Sequence, residues 1–129
     1  MAQSSSEHGN FYWNELVTRD AEKAKEFYGS TIGWTFDGMP MPHGTYWIAK
    51  MGDKPVGGLF PIGGPQFEGV PEGWMAYLAV DEVDARVKKA QSLGATLMKQ
   101  IFDVPGVGRI AVLREPGGAG IGWMTPVNS

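Results

Sequence analysis

The sequence predicts an α+β fold built from two tandem units, each running strand, helix, strand, strand, strand (βαβββ). Three observations point there. The stretch Trp13-Asn14-Glu15-Leu16-Val17-Thr18-Arg19-Asp20 reads as a strand that turns straight into a helix. A degraded copy, Met75-Ala76-Tyr77-Leu78-Ala79-Val80-Asp81, follows later in the chain. The register between the copies persists: Leu78 and Val80 lie 62 positions after Leu16 and Thr18, and Leu93-Gly94 lies 61 after Ile32-Gly33. Two similar units, each opened by such a strand, suggest a pocket built between halves.

Composition sets the frame. The 129 residues can bury roughly two-thirds of their unfolded surface in one domain. A net charge of -3 with scattered Lys and Arg gives no basic patch, so nucleic acid is not an expected partner. No apolar run reaches the roughly 18 residues that span a membrane, and the polar start Met1-Ala2-Gln3-Ser4-Ser5-Ser6-Glu7 lacks signal-peptide character. Cysteine is absent, which excludes disulfides, thiolate metal sites and cysteine nucleophiles. A cytoplasmic location is expected. The 19 glycines and 9 prolines fit many short strands joined by tight turns.

Taken in order, residues 1–9 read as a flexible polar tail with His8 solvated. The first strand, Phe11 to Thr18, alternates Phe11, Trp13, Glu15 and Val17 against Tyr12, Asn14, Leu16 and Thr18. Asp20 can cap a helix running to about Ser30, with Ala21, Ala24, Tyr28 and Thr31 on one stripe, Phe27 beside them, and Lys23, Lys25 and Glu26 on the wet side. Trp34-Thr35-Phe36 begins a strand that the two prolines of Gly38-Met39-Pro40-Met41-Pro42-His43-Gly44 are expected to end in a loop. Thr45–Met51 and Val56–Pro61 follow as strands, then a linker over Ile62–Gly73 with little regular structure.

The second unit repeats the pattern. Trp74–Val80 is a strand, and a helix from Asp81 to about Leu93 carries Val83, Val87, Ala90 and Leu93 on one stripe. Strands over Ala95–Phe102, Arg109–Arg114 and Ala119–Thr125 complete it, the last two joined by the turn Glu115-Pro116-Gly117-Gly118. The expected organisation is a single domain over 10–126, with module 1 about 10–61, a linker about 62–73 and module 2 about 74–126.

In this order and spacing, Leu16-Val17-Thr18-Arg19-Asp20, Phe27-Tyr28, Ile32-Gly33-Trp34, Val80-Asp81-Glu82-Val83-Asp84, Leu93-Gly94-Ala95 and Glu115-Pro116-Gly117-Gly118 resemble the vicinal oxygen chelate superfamily, also called the glyoxalase, bleomycin-resistance and dioxygenase superfamily. The resemblance covers residues 10–126. It implies curled mixed sheets around a cavity, often completed by dimerisation, and hence a homodimer. In catalytic members, metal ligands project from the module strands. The positions corresponding to them fall on Trp13 and Met75, on Gly122 give or take one residue, and near Gly58. Indole, thioether and glycine supply none of the imidazole or carboxylate ligands that a hard or borderline divalent ion takes. No cofactor is therefore expected; a divalent metal enters only an alternative reading with divergent ligands.

If Trp13 faces inward, so does Glu15, whose repeat partner is Tyr77, with Met75 alongside. Trp13, Glu15, Met75 and Tyr77 then form an apolar-aromatic wall with one carboxylate and one phenol, suited to a small organic ligand. Tyr46, Trp47 and Phe60 are candidates to reach the same pocket, alternation leaving open which. The bland alternatives are Trp13 and Met75 as core filling, Glu15 paired with Arg109 or Arg114, Tyr77 in a structural hydrogen bond, and His43 solvated on its loop. Gly117-Gly118-Ala119-Gly120 lacks the Lys and Ser or Thr of a phosphate-binding loop and reads as a hairpin turn; nucleophile-elbow and zinc-helix motifs are absent.

The expected function is metal-independent binding of a small hydrophobic or aromatic molecule by Trp13, Glu15, Tyr46, Phe60, Met75 and Tyr77. The competing expectations are a glyoxalase- or dioxygenase-type enzyme using noncanonical ligands such as Glu15 and His43, and a metal-free acid–base enzyme with Glu15 as the catalytic base and Tyr77 as an electrophilic donor.

Overall fold

A computed structural model describes residues 7–127. The alternating residues at the start form strand β1, Phe11–Thr18. Helix α1, Ala21–Thr31, follows, and the Asp20 carboxylate caps it by accepting the Lys23 N–H at 3.0 Å. Gly33, at φ 91°, lets the chain leave the helix. Three strands come next: β2 (Thr35–Met41), β3 (Gly44–Met51) and β4 (Lys54–Pro61). After a short 3-10 turn at Pro65–Phe67 come β5 (Gly73–Ala79), α2 (Val83–Ser92), β6 (Thr96–Leu97), β7 (Phe102–Val104), β8 (Gly108–Arg114) and β9 (Gly120–Pro126). This is the expected α+β fold.

The chain divides into two compact units, Asn14–Met75 and a terminal unit formed by the segments before and after it. In the Asn14–Met75 unit the strand order is β2-β3-β4-β1, with β1 parallel to β4 and the other neighbours antiparallel. The terminal unit repeats this arrangement. There β5 runs parallel to β9, β9 antiparallel to β8, and both β6 and β7 pair with the far side of β8. The repeat seen in the residue pattern is thus a repeat of topology. The first residues of the chain belong to the terminal unit, where Gly9 donates to the Ala79 carbonyl at 2.7 Å and Ala79 donates to Asn10 at 2.8 Å.

Several expectations need correction. Strand β2 runs through Pro40 to Met41 instead of ending at Phe36. Within its unit β2 is the edge strand, bonded to β3 alone, and an edge position tolerates a residue with no N–H. The expected Ala95–Phe102 strand is two short ones. Leu97 pairs with Leu113 and Phe102 with Ile110, so the outer chain spends two residues more than β8 and must bulge away between them.

On α2, Val83 and Val87 are buried at 1% and 2%, but Leu93 is 67% exposed because the helix has already ended at Ser92. On α1, Phe27 and Thr31 are exposed, whereas Lys25, expected on the wet side, lies with its ammonium 3.2 Å from the Trp47 ring centroid. Its long stem lets it cover an aromatic face while its head reaches Glu22 at 3.0 Å. His8 is no free tail residue: its Nδ1 accepts the Asp81 N–H at 3.0 Å. Residues 1–6 of the expected tail lie outside the described residues.

Core packing follows the helices. Val80, Val83, Val87, Ala111 and Leu113 form the terminal unit's core, with Leu78, Leu97, Ile101, Ile121 and Trp123 against it. In the Asn14–Met75 unit, Leu59 and Ala49 are fully buried and Ile62 nearly so.

Candidate functional site

Strand alternation and register decide which side chains share a face. In the Asn14–Met75 unit, Glu15 is paired with Gly58, Val17 with Phe60, and Gly58 in turn with Ile48. Paired residues point the same way, and alternate residues return to the same side. Glu15, Val17, Ile48, Phe60 and Tyr46 therefore share one face. Trp47 and Leu59, paired with each other, belong to the opposite face, where Lys25 of α1 covers Trp47. By register, Tyr46 and Phe60 lie on the face of Glu15, and Trp47 lies on the other.

The shared face carries the rings of Tyr46 and Phe60 and two carboxylates, Glu15 and, through its pairing with Ile48, Asp37, which is held by Lys50 at 3.0 Å. The rings of Tyr46 and Phe60 meet edge to face at 6.4 Å. Tyr46 lays its hydroxyl over Gly58, the ladder partner of Glu15, so closely that a Cβ at residue 58 would collide with it. Glu15, Tyr46 and Phe60 are all half-buried. At the hairpin end His43 packs against Phe60 at 5.4 Å and Phe67 at 5.0 Å. It remains exposed, as expected, but it is part of an aromatic cluster that the sequence reading missed. The signal was faint: His43 and Phe67 lie on irregular segments, where no periodicity tells which way a side chain points.

The terminal unit carries a parallel arrangement. Tyr77, 7% exposed, is paired with Gly122, and its ring lies over that glycine so that a Cβ there would meet Cγ, Cδ2 and Cε2. The six candidates thus divide. Glu15, Tyr46, Phe60 and Met75 are in the Asn14–Met75 unit, with Met75 half-buried at its end. Trp13, also half-buried, and Tyr77 belong to the terminal unit.

Arg109, considered as a partner for Glu15, binds Asp84 at 2.7 and 3.1 Å and Asp103 at 3.0 Å. This fork ties α2 to β7 and β8. The Arg109 hydrogen bonds hold the Asp84 carboxyl below its usual 3.8. Arg86 does the same for Asp81, and the backbone N–H of Arg19, aided by its guanidinium, for Glu72.

A recess of about 700 Å³ elsewhere is lined by Asp20, Glu22, Lys23, Lys25, Glu26, Phe36 and Trp47 on the helix side of the sheet; none of the six candidates lines it. It is a shallow charged rim around the Lys25–Trp47 contact, whereas ligand sites are mostly apolar with a few placed polar groups.

The superfamily's metal does not fit the residues at its positions. Gly58 and Gly122 contribute no donor, and each is overlaid by a tyrosine that would have to move before a carboxylate could stand there. Trp13 and Met75 offer an indole and a thioether. Among the described residues no group of three or more His, Cys, Asp or Glu is placed to hold a metal ion. No helix among them is long and apolar enough to cross a membrane.

Comparison with known proteins agrees with the topology. A Bacillus halodurans protein, BH1468, superposes with a TM-score of 0.69 at 11% identity, covering 92% of this chain and 95% of that one. Methylmalonyl-CoA epimerase from Mycobacterium tuberculosis gives 0.63 at 15% identity, covering 89% and 86%. These likenesses establish the fold. In sequence, the Bleomycin resistance protein-like N-terminal family matches residues 10–46.

A Mycobacterium tuberculosis protein bearing a glyoxylase name, CFP32, is 40% identical over 115 residues, 88% of this chain and 43% of that protein. The anthracycline biosynthesis protein DnrV of Streptomyces peucetius is 30% identical, covering 83% and 43%. The chain thus spans less than half the length of these two curated relatives. A glyoxylase-like domain-containing protein of Didymella fabae is 31% identical over 78% of each chain. The chain belongs to the glyoxylase-like family of the vicinal oxygen chelate superfamily.

Proposed function

We propose that this protein binds a small hydrophobic or aromatic molecule without a metal ion. One observation carries the reading: both glycines at the superfamily's carboxylate positions, Gly58 and Gly122, are overlaid by tyrosines, Tyr46 and Tyr77. Aromatic surface stands where a metal-binding carboxylate would be needed. Glu15 supplies the polar contact of the site, and Tyr46 and Phe60 its apolar wall. The working protein is a cytoplasmic homodimer. Titration calorimetry against a panel of aromatic metabolites tests the binding reading, with chelator and with added divalent ions. Affinity unchanged by chelation is the expected result; a strict requirement for a metal counts against it.

An enzymatic reading has a specific support, the glyoxylase name of the 40% identical relative. In that reading Glu15 is a general base, or Glu15 and His43 are divergent metal ligands. Glu15→Gln separates the cases. It abolishes turnover while sparing binding if Glu15 is catalytic, and weakens binding of a cationic or hydrogen-bonding ligand if it is only a contact. Stoichiometric metal that activates the purified protein supports the divergent-ligand form.

A further inference from the structure

The segment between β4 and β5 is the part of the Asn14–Met75 unit that the binding reading leaves without a role. It carries Gly63, Gly64 and Gly69, the last at φ 84°, and meets Gly73 at φ 149° where β5 begins; its one regular piece is the 3-10 turn Pro65–Phe67. Its internal backbone bonds are local: Phe67 N–H to Gly64, Glu68 N–H to Pro65 and Val70 N–H to Phe67, at 3.0–3.1 Å. Segments held this way sit at the low-stability end of a fold.

It is tied to the β1–α1 junction at both ends and once more at Phe67. At its start, the Ile62 N–H donates to the Thr18 carbonyl at 3.0 Å, and the Ile62 side chain is buried. At its end, a Glu72 oxygen accepts the Arg19 backbone N–H at 3.0 Å and the Thr18 hydroxyl at 3.4 Å, and its other oxygen lies 3.5 Å from the Arg19 guanidinium. Arg19 also donates to the Phe67 carbonyl at 2.9 Å.

Between the anchors the segment delivers one large apolar side chain, that of Phe67. Its ring stands perpendicular to Phe60 at 5.9 Å and beside His43 at 5.0 Å. Phe60 belongs to the Glu15 face, so Phe67 covers one end of that face. The Ile62 anchor is buried, but Glu72 and Arg19 are 49% and 38% exposed. Water competes for the second anchor far more readily than for the first.

We propose that residues 62–73 are a gate over the Glu15–Tyr46–Phe60 face, with Phe67 as the covering side chain and Arg19, which holds the Phe67 carbonyl and is itself held by Glu72, as its latch. Release of the latch swings Phe67 off Phe60 about the glycines, with Ile62 as the fixed end, and lets a flat apolar ligand reach Phe60 and Tyr46. Phe67 then determines how bulky a ligand the face admits. This proposal rests on the binding reading above for its ligand, but the motion itself is measurable without one.

The test uses the full chain, the variants Glu72→Gln and Phe67→Ala, and Nile red as an apolar aromatic probe. In stopped-flow fluorescence, Glu72→Gln raises the association and dissociation rates together by roughly two- to fivefold, the range an exposed ion pair commands. Phe67→Ala raises the association rate similarly and does so with the latch intact. In hydrogen exchange, Glu72→Gln accelerates residues 62–73 while β4 keeps its protection. Unchanged exchange in 62–73 overturns the gate, as does acceleration spread equally into β4, which makes Glu72 a support of the whole unit. If the wild-type protein does not bind the dye, the binding reading falls and the exchange comparison alone decides the gate.

Discussion

Gly122 and Gly58 are overlaid by different parts of a tyrosine, and this difference is measurable. A Cβ at 122 meets the body of the Tyr77 ring from Cγ outward, and Tyr77 is buried, so it has nowhere to turn. At 58 the colliding atoms are Oη, Cζ and Cε2, the far end of half-buried Tyr46. Gly122→Ala should therefore cost about 1–3 kcal/mol, the usual range for an overpacked site, and Gly58→Ala less; urea unfolding of the two variants gives the order. The depressed carboxyls make a second prediction at this scale. A group whose folded pKa lies below its unfolded value stabilises the fold above the unfolded pKa, and that contribution is lost as pH falls through the folded one. Asp84, Asp81 and Glu72 all shift this way, from 3.8, 3.8 and 4.5. Melting temperature should fall as pH drops below these values, and Asp84→Asn should flatten part of that acid limb.

Helix α1 shows how an element can be placed correctly and its packing misjudged. Its cap at Asp20 and its glycine stop were readable because both depend on local chemistry. Asp20→Ala should cost about 1 kcal/mol of stability, read by chemical denaturation. Its buried side was less readable, since Lys25 counts as polar in any periodicity yet spends its stem on Trp47. Lys25→Ala should uncover that indole and red-shift the tryptophan emission. The extent of β2 was hidden for a related reason: Pro40 reads as a strand breaker until topology makes β2 an edge. The candidate site was legible to the same degree. Glu15 was reachable by strand alternation, and Tyr46 and Phe60 needed only the register to be assigned. His43 and Phe67 needed tertiary structure, because loops carry no period.

At the scale of the whole molecule, the same strand order occurs in both units on very different residues, so topology is what the two halves share. It is also what the chain shares with solved structures at 11% and 15% identity. Fold likeness at that distance leaves chemistry open, and single side chains decide it. The tyrosines over Gly58 and Gly122 have a consequence for engineering. A glycine codon lies near a glutamate codon, so a carboxylate at either position looks like a short mutational step. In three dimensions the step is blocked at both sites until the neighbouring tyrosine is made smaller or displaced. Installing a metal centre here would require paired substitutions, glycine together with its tyrosine, and a search that changes one residue at a time would pass through destabilised variants first.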